Sequence, residues 1–173
     1  MAANSQSIPI PALVLGLGGL IPFILPAMVM CLPHWSSALI NSFWPFSAAL
    51  DNAVAPPWLA QRAAFSLGAY AAIILSFLGG VRWGNLLDNE PRLWEWVPLT
   101  LSVVPSLIAW PALLLPPLWM LSILAAGLVL QYALDVEALR RKEIPVWFGK
   151  LRLILTTGAI LSLLVALLSV TLR

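Results

Sequence analysis

The sequence has very little charge. Only 9% of its 173 residues are charged, whereas 61% are hydrophobic. An ordinary soluble domain carries about 25% charged residues. Water could not solvate a folded surface with so few charges, so the composition excludes the common soluble classes. It predicts instead that most of the chain lies in lipid.

Residues that usually build reactive sites are equally scarce. The chain has one cysteine, Cys31, and one histidine, His34, so an intramolecular disulfide and a multi-histidine metal site are excluded. Glycine-rich phosphate loops, the G-x-S-x-G elbow and zinc-binding histidine pairs are also missing. We therefore expect no catalytic residue, no metal and no cofactor, and a protein that is not an enzyme. The basic residues cluster at predicted membrane edges, which argues against a nucleic-acid partner.

The apolar residues divide into five segments of membrane-spanning length. A bilayer core about 30 Å thick needs roughly 20 helical residues, and Pro116 with Pro117 interrupts the longest uncharged run. The sequence predicts an all-α fold, a polytopic membrane protein with a single domain over residues 1–173. Its bundle of five transmembrane helices has spans at about 11–32, 62–84, 95–115, 118–140 and 151–172.

Two further expectations concern the first span and the loop after it. The N-terminus lacks the basic flank of a cleaved signal peptide, so we expect the first apolar run to be retained as an anchor. Residues 33–58 are rich in tryptophan and almost uncharged. This composition is typical of a segment at the membrane interface, and we expect the first loop to be partly helical there.

The basic residues predict an orientation. With five spans, the N-terminus and the second and fourth loops share one side, and that side holds Arg82, Arg92, Arg140, Arg141, Lys142, Lys150 and Arg152. The opposite side holds only Arg62 and Arg173. The positive-inside rule therefore predicts a cytoplasmic N-terminus and a C-terminus on the other side.

Small residues recur at every fourth position of the second span, at Gly68, Ala72, Ser76, Gly80 and Gly84. They form a row along one face of a helix, which we call the small-residue row. Lipid gives little hydrophobic drive for helix association, so close backbone approach at small residues takes its place. We expect the row to pack against a neighbouring helix of the bundle. The alternative is a homodimer interface or a docking face for another membrane protein.

Polar residues gather at the predicted inner edge. Arg82 ends the second span, Asp135 ends the fourth, with Gln131 one turn before it, and Arg152 begins the fifth. Charged groups at this depth usually pair. We expect Asp135 to pair with Arg82 or Arg152, with Gln131 bonding beside it. The alternatives are arginines that reach the headgroups separately and a cluster that lines a substrate or proton site.

Four segments together resemble a known family. They are AYAAIILSFLGGVRWG (69–84), VVPSLIAWPALLL (103–115), LQYALD (130–135) and WFGKLRLILT (147–156). They resemble a domain-of-unknown-function family of small multi-pass proteins, found widely in proteobacteria, that includes the mitochondrial transmembrane protein sixty-nine of animals. The resemblance runs from about Val14 to Leu168. It implies an inner-membrane location and about five spans, and it supplies no established activity.

The expected function follows from these features. The leading hypothesis is an integral protein of the bacterial inner membrane that acts as an accessory, assembly or binding subunit. Its expected partners are the lipid bilayer and another membrane protein or a second copy. One alternative is a carrier for an ion or small solute with a polar inner mouth at Arg82, Gln131 and Asp135. Another is a tryptophan-rich sensor for a tetrapyrrole, sterol or lipid, with Trp83 and Trp110 as candidate ligand contacts.

Overall fold

The computed structural model describes residues 7–32, 57–87 and 96–172. Within them the chain forms six helices and no strand: α1 (Ile10–Gly18), α2 (Ile21–Cys31), α3 (Pro57–Leu87), α4 (Trp96–Ala112), α5 (Pro117–Arg140) and α6 (Val146–Thr171). The expected all-α polytopic membrane fold is confirmed. The predicted interfacial loop lies outside the described residues, apart from its last two residues, which begin α3.

The helices match the predicted spans in order but not in every boundary. Four elements of the described chain are long and apolar enough to cross a membrane, at Ile10–Cys31, Trp58–Gly84, Pro117–Arg140 and Val146–Thr171. The first of them comprises α1 and α2. The helix in the region of the predicted third span, α4, is shorter than expected. It has 17 residues, which extend over about 26 Å at 1.5 Å per residue.

Prolines explain where these differences arise. Pro22 has no N–H, so it cannot bond the carbonyl of Gly18, the residue at which α1 ends. Pro116 and Pro117 likewise cannot bond the carbonyls of Ala112 and Leu113, and α4 ends at Ala112. The next three residues form only i→i+3 bonds, for example Leu115 N–H to the carbonyl of Ala112 at 3.1 Å. The turn before Pro116 is therefore longer, and α4 shorter, than the sequence predicted.

The α5–α6 connection is a tight turn closed by a Schellman motif. Glu143 N–H bonds the carbonyl of Ala138, and Lys142 N–H bonds the carbonyl of Leu139, at 2.9 and 3.0 Å. Lys142 adopts the left-handed conformation at φ 59° that this motif requires. Pro145 then caps α6. The turn folds α6 back along α5, which brings the first turns of α6 beside the last turns of α5.

Contacts along the helices define their directions. Gly68 of α3 lies against Met120 of α5, and Arg82 lies near Asp135, so α3 and α5 run parallel. The α1–α2 element and α6 also run parallel, since Gly16 lies near Leu155 and Cys31 bonds Ser169. The N-terminus of α6 therefore lies at the same end of the bundle as the C-termini of α3 and α5.

The core lies between α2, α3, α5 and α6, and α4 packs against α3 and α5. Its five largest fully buried side chains are all leucines: Leu67, Leu75, Leu121, Leu124 and Leu163. Phe23 of α2 packs edge-on against Tyr70 of α3 with ring centroids 5.1 Å apart. Large apolar side chains also cover the outside, as a bilayer requires. This packing makes α3 the central helix and fixes which of its faces points outward.

Candidate functional site

Asp135 joins two arginines from two other helices. Arg152 Nε of α6 donates to Asp135 Oδ2 at 2.7 Å, and Arg82 Nη2 of α3 approaches Asp135 Oδ1 at 3.3 Å. The sequence predicted pairing with one arginine or the other, and the structure has both. A carboxylate with two oxygens can accept from two guanidinium groups at once. The three helices are thus tied together at one end of the bundle.

Gln131 completes this inner-edge cluster. It lies one turn before Asp135 on α5 and is 2% exposed. Its Oε1 accepts from Arg82 Nη2 at 3.4 Å. The same Arg82 nitrogen therefore serves both acceptors of α5 at long distances, whereas the Arg152 contact is short. Arg152 is the firmly held arginine and Arg82 the loosely held one.

The inner-edge cluster has more donors than acceptors. Arg82 Nε, Arg152 Nη2 and Thr156 Oγ1 are buried and have no hydrogen-bond partner among the described residues. Thr156 lies one turn after Arg152 on the same face of α6. Sequence reasoning missed Thr156, although its spacing of four from Arg152 was the available signal. Buried polar groups are nearly always bonded, so these three atoms are unusual.

The surrounding end of the bundle is basic. Among the described residues, six basic side chains lie there: Arg82, Arg140, Arg141, Lys142, Lys150 and Arg152. Three acidic side chains accompany them: Asp135, Glu137 and Glu143. Glu137 accepts a hydrogen bond from Arg141 Nε at 2.8 Å, which with the carboxylate charge raises the pKa of Arg141 above its usual range. Among the described residues of this end, basic side chains therefore outnumber acidic ones.

The first half of the small-residue row packs as the sequence predicted. A Cβ built on Gly68 would lie 2.7 Å from the side chain of Met120, so α3 and α5 approach closely there. Ala72 is 6% exposed, and Ser76 is half-buried beside α4. The first half of the row is therefore a helix-packing face within the bundle.

The second half of the row does not pack in this way. A Cβ on Gly80 or on Gly84 would meet no described atom within 4 Å, and both glycines are exposed. The close approach occurs instead at Gly79, where an added Cβ would overlap the carbonyl oxygen of Ser102 on α4. Among the described residues, Gly80 and Gly84 therefore do not pack against a neighbouring helix, because a spacing of four drifts around a helix of 3.6 residues per turn.

The two candidate tryptophans lie apart. Trp110 is 70% exposed and lines an open groove between α3 and α4, together with Ala69, Ala72, Ile73, Ser76, Ser106, Ala109 and Leu113. Trp83 is 43% exposed on the last part of α3 and does not line this groove. Of the two candidate tryptophans, Trp110 therefore lines this concave surface and Trp83 does not.

Comparisons with known proteins agree with the fold. A family described as "Protein of unknown function (DUF3429)" matches residues 8–168. The chain belongs to this family. It is 37% identical to "Transmembrane protein 69" of Xenopus tropicalis over 166 residues, which cover 93% of this chain and 55% of that protein. It is 32% identical to "Transmembrane protein 69" of Mus musculus over 160 residues, covering 92% and 56% respectively.

The DUF3429 chain thus spans about half the length of the curated relatives that it matches. The resemblance noted from its motifs is confirmed, and the chain is a multi-pass membrane protein. No solved structure matches it. Within the described ranges, no group of three or more histidine, cysteine, aspartate or glutamate side chains is placed to hold a metal ion.

Proposed function

We propose that this chain is a non-enzymatic accessory or assembly subunit that binds a transmembrane helix of another membrane protein. The binding surface is the outer face of α3, defined here by Phe77, Gly80, Val81 and Gly84. The observation that carries the proposal is the open GVRWG segment, residues 80–84. Its two glycines are four residues apart on one face, and no described residue covers them.

The two exposed glycines make this segment suitable for binding another helix within the membrane. In lipid, helices associate through close backbone packing, and glycines spaced by four allow the closest approach. Phe77 is 64% exposed and Val81 is 39% exposed, so apolar side chains border the glycine groove. A partner helix with small residues at the crossing point would fill this groove. On the opposite side of the same turns, Gly79 packs against α4 and Arg82 contacts Asp135 of α5.

The chain's polar chemistry favours binding over catalysis. Contacts among Arg82, Gln131, Asp135 and Arg152 join α3, α5 and α6, and this arrangement supports a role in holding helices together. We further propose the bacterial inner membrane as its location, with a cytoplasmic N-terminus and a periplasmic C-terminus. The excess of basic residues at one end supports this orientation. A reporter fused after Arg173 that is active only in the cytoplasm would contradict it.

The test of the proposal compares open glycines on different helices. Native membranes are dissolved in mild detergent, and the mass of the particle that contains the chain is measured. We expect wild type in a stoichiometric complex, and the double variant Gly80→Leu/Gly84→Leu as a folded monomer. Gly18→Leu is the matched control, because Gly18 is also exposed and has no described neighbour within 4 Å.

Each outcome of this test has a defined reading. A complex that survives the double substitution would refute the proposed surface, as would a wild-type chain that is monomeric in native membranes. Loss of the complex in Gly18→Leu would show that leucine acts non-specifically. A particle of twice the chain mass would assign the outer face of α3 to a second copy instead of another protein.

The groove beside Trp110 favours a second candidate, a membrane sensor for an apolar ligand. The groove is mostly apolar, and Ser76 and Ser106 supply two hydroxyl groups, a composition typical of small-molecule sites. Quenching of tryptophan fluorescence by porphyrin, reduced in Trp110→Leu but kept in Trp119→Leu, would support this function, because Trp119 lies on α5 and does not line the groove. The carrier alternative receives less support, because the recess next to Gln131 is otherwise lined by apolar side chains and a glycine.

A further inference from the structure

The inner-edge cluster is charged but incomplete. Two guanidinium groups face one carboxylate, so the cluster carries one positive charge that no described side chain compensates. Arg152 is 7% exposed and Thr156 is 8% exposed, so water reaches neither of them freely. An unpaired charge at this depth in a membrane protein is costly.

Three unbonded atoms belong to the two arginines and to a threonine one turn after Arg152 on α6. Arg82 Nε, Arg152 Nη2 and Thr156 Oγ1 are buried polar atoms without an acceptor or donor among the described residues. A hydroxyl inside a helix usually bonds the carbonyl one turn back, as Ser162 does to the carbonyl of Gly158 at 2.9 Å. Thr156 does not. Its hydroxyl is therefore an unused hydrogen-bonding group one turn after Arg152 on the same face of α6.

We infer that the inner-edge cluster binds the phosphate group of an anionic ligand between Arg82, Arg152 and Thr156. Phosphate carries several acceptor oxygens and matches the planar fork of a guanidinium group. A single phosphate diester would supply the missing negative charge and the missing acceptors together. This ligand site is separate from the outer face of α3, so the proposal does not depend on the binding of a partner helix.

The depth of the cluster fits the phosphate of a lipid headgroup. Arg82 and Asp135 each lie five residues before the end of their helix, and Arg152 lies six residues after the start of α6. These positions are about one and a half turns, or about 8 Å, inside the helix ends. The side chains of Arg82 and Asp135 keep 21% and 17% exposure. A headgroup would therefore enter on the loosely held Arg82 side and reach Arg152 behind it.

The experiment measures thermal stability and retained ligand for the full chain. Purified protein is placed in nanodiscs of phosphatidylcholine alone or with phosphatidylglycerol, and inorganic phosphate is added to a matching neutral-detergent sample. We expect phosphatidylglycerol to raise the unfolding temperature and to remain bound in native mass spectrometry. An equal rise with inorganic phosphate alone would identify a free anion as the ligand source and would still support the site.

Matched threonine variants separate the site from general lipid effects. Thr156→Val removes the hydroxyl at nearly constant volume, and we expect it to weaken phosphatidylglycerol binding about tenfold. Thr157→Val is the control, because Thr157 is exposed to lipid, and it should bind like wild type. Thr156→Ser should restore binding. Arg82→Gln should abolish the stabilisation by phosphatidylglycerol if the variant folds.

Two results would overturn the inference. The first is a wild-type chain whose stability responds neither to phosphatidylglycerol nor to inorganic phosphate. The second is a Thr156→Val chain that binds phosphatidylglycerol as tightly as wild type and Thr157→Val. The threonine pair decides the question even if Arg82→Gln does not fold.

Discussion

Two adjacent glycines of α3 lie in opposite surroundings. Gly79 faces the bundle, where the carbonyl of Ser102 leaves no room for a Cβ, and Gly80 faces outward, where no described atom lies within 4 Å. Arg82 extends the inner side by one turn, and Gly84 extends the outer side. The comparison shows that the inner face of one short segment, GGVRWG, packs in the bundle, whereas no described residue covers the two glycines of its outer face.

Gly79→Leu tests the inner face and should have the largest effect. The new side chain would overlap the backbone of α4, which cannot move without separating the two helices. We expect destabilisation of at least about 3 kcal/mol or failure to fold. The unfolding temperature in detergent measures this change. A Gly79→Leu chain as stable as wild type would show that α3 and α4 are not in contact there.

Asp135→Asn should have the next largest effect. It would leave two arginines at membrane depth without a carboxylate, and removing one partner of a buried ion pair costs about 3 kcal/mol. Chemical denaturation of the detergent-dissolved variant measures the loss. Unchanged stability would mean that the arginines reach the headgroups separately and that the inner face of α3 is not held by charge.

Lysine substitutions should show which of the two arginines contributes more to the free energy of unfolding. Arg152→Lys loses the 2.7 Å bond from Nε to Asp135, and we expect it to cost about 2 kcal/mol. Arg82→Lys loses longer contacts of 3.3 and 3.4 Å, and we expect about 1 kcal/mol. The same denaturation experiment compares them. The reverse order would show that Arg82, not Arg152, anchors the inner-edge cluster.

Gly80→Leu should have the smallest effect on the fold. No described atom lies within 4 Å of the position that its Cβ would take, so the free energy of unfolding should change by less than about 0.5 kcal/mol. Gly18→Leu is the control on another helix and should behave alike. A large loss of stability in Gly80→Leu alone would mean that the outer face of α3 is covered within the chain itself.

The sequence predicted much of this arrangement because the relevant signals were local. Arginine and aspartate at the ends of apolar runs placed Arg82, Asp135 and Arg152 at one depth, and the structure brings them together. The prolines at 116 and 117 marked the α4–α5 turn. The early end of α4 at Ala112 was not predicted, although Pro116 and Pro117 lack the N–H groups that the carbonyls of Ala112 and Leu113 would need in a continued helix.

What the sequence could not predict is which face of α3 points inward. Gly79 and Gly80 are both small, and the spacing of four selected Gly80 as the packing residue. The rotation of a helix depends on its neighbours, here the carbonyl of Ser102 and the side chain of Met120. Thr156 was missed for a similar reason, since only the fold shows that its hydroxyl is buried and has no partner among the described residues.

The most direct test measures whether a label at position 80 is accessible from the lipid. A nitroxide is attached at Gly80→Cys in a Cys31→Ser background, with one chain per nanodisc, and its collisions with oxygen dissolved in the lipid are recorded. The account predicts high accessibility, equal to that of a nitroxide at Gly18→Cys. Accessibility as low as at Ala72→Cys, which replaces a buried residue of the same row, would contradict it.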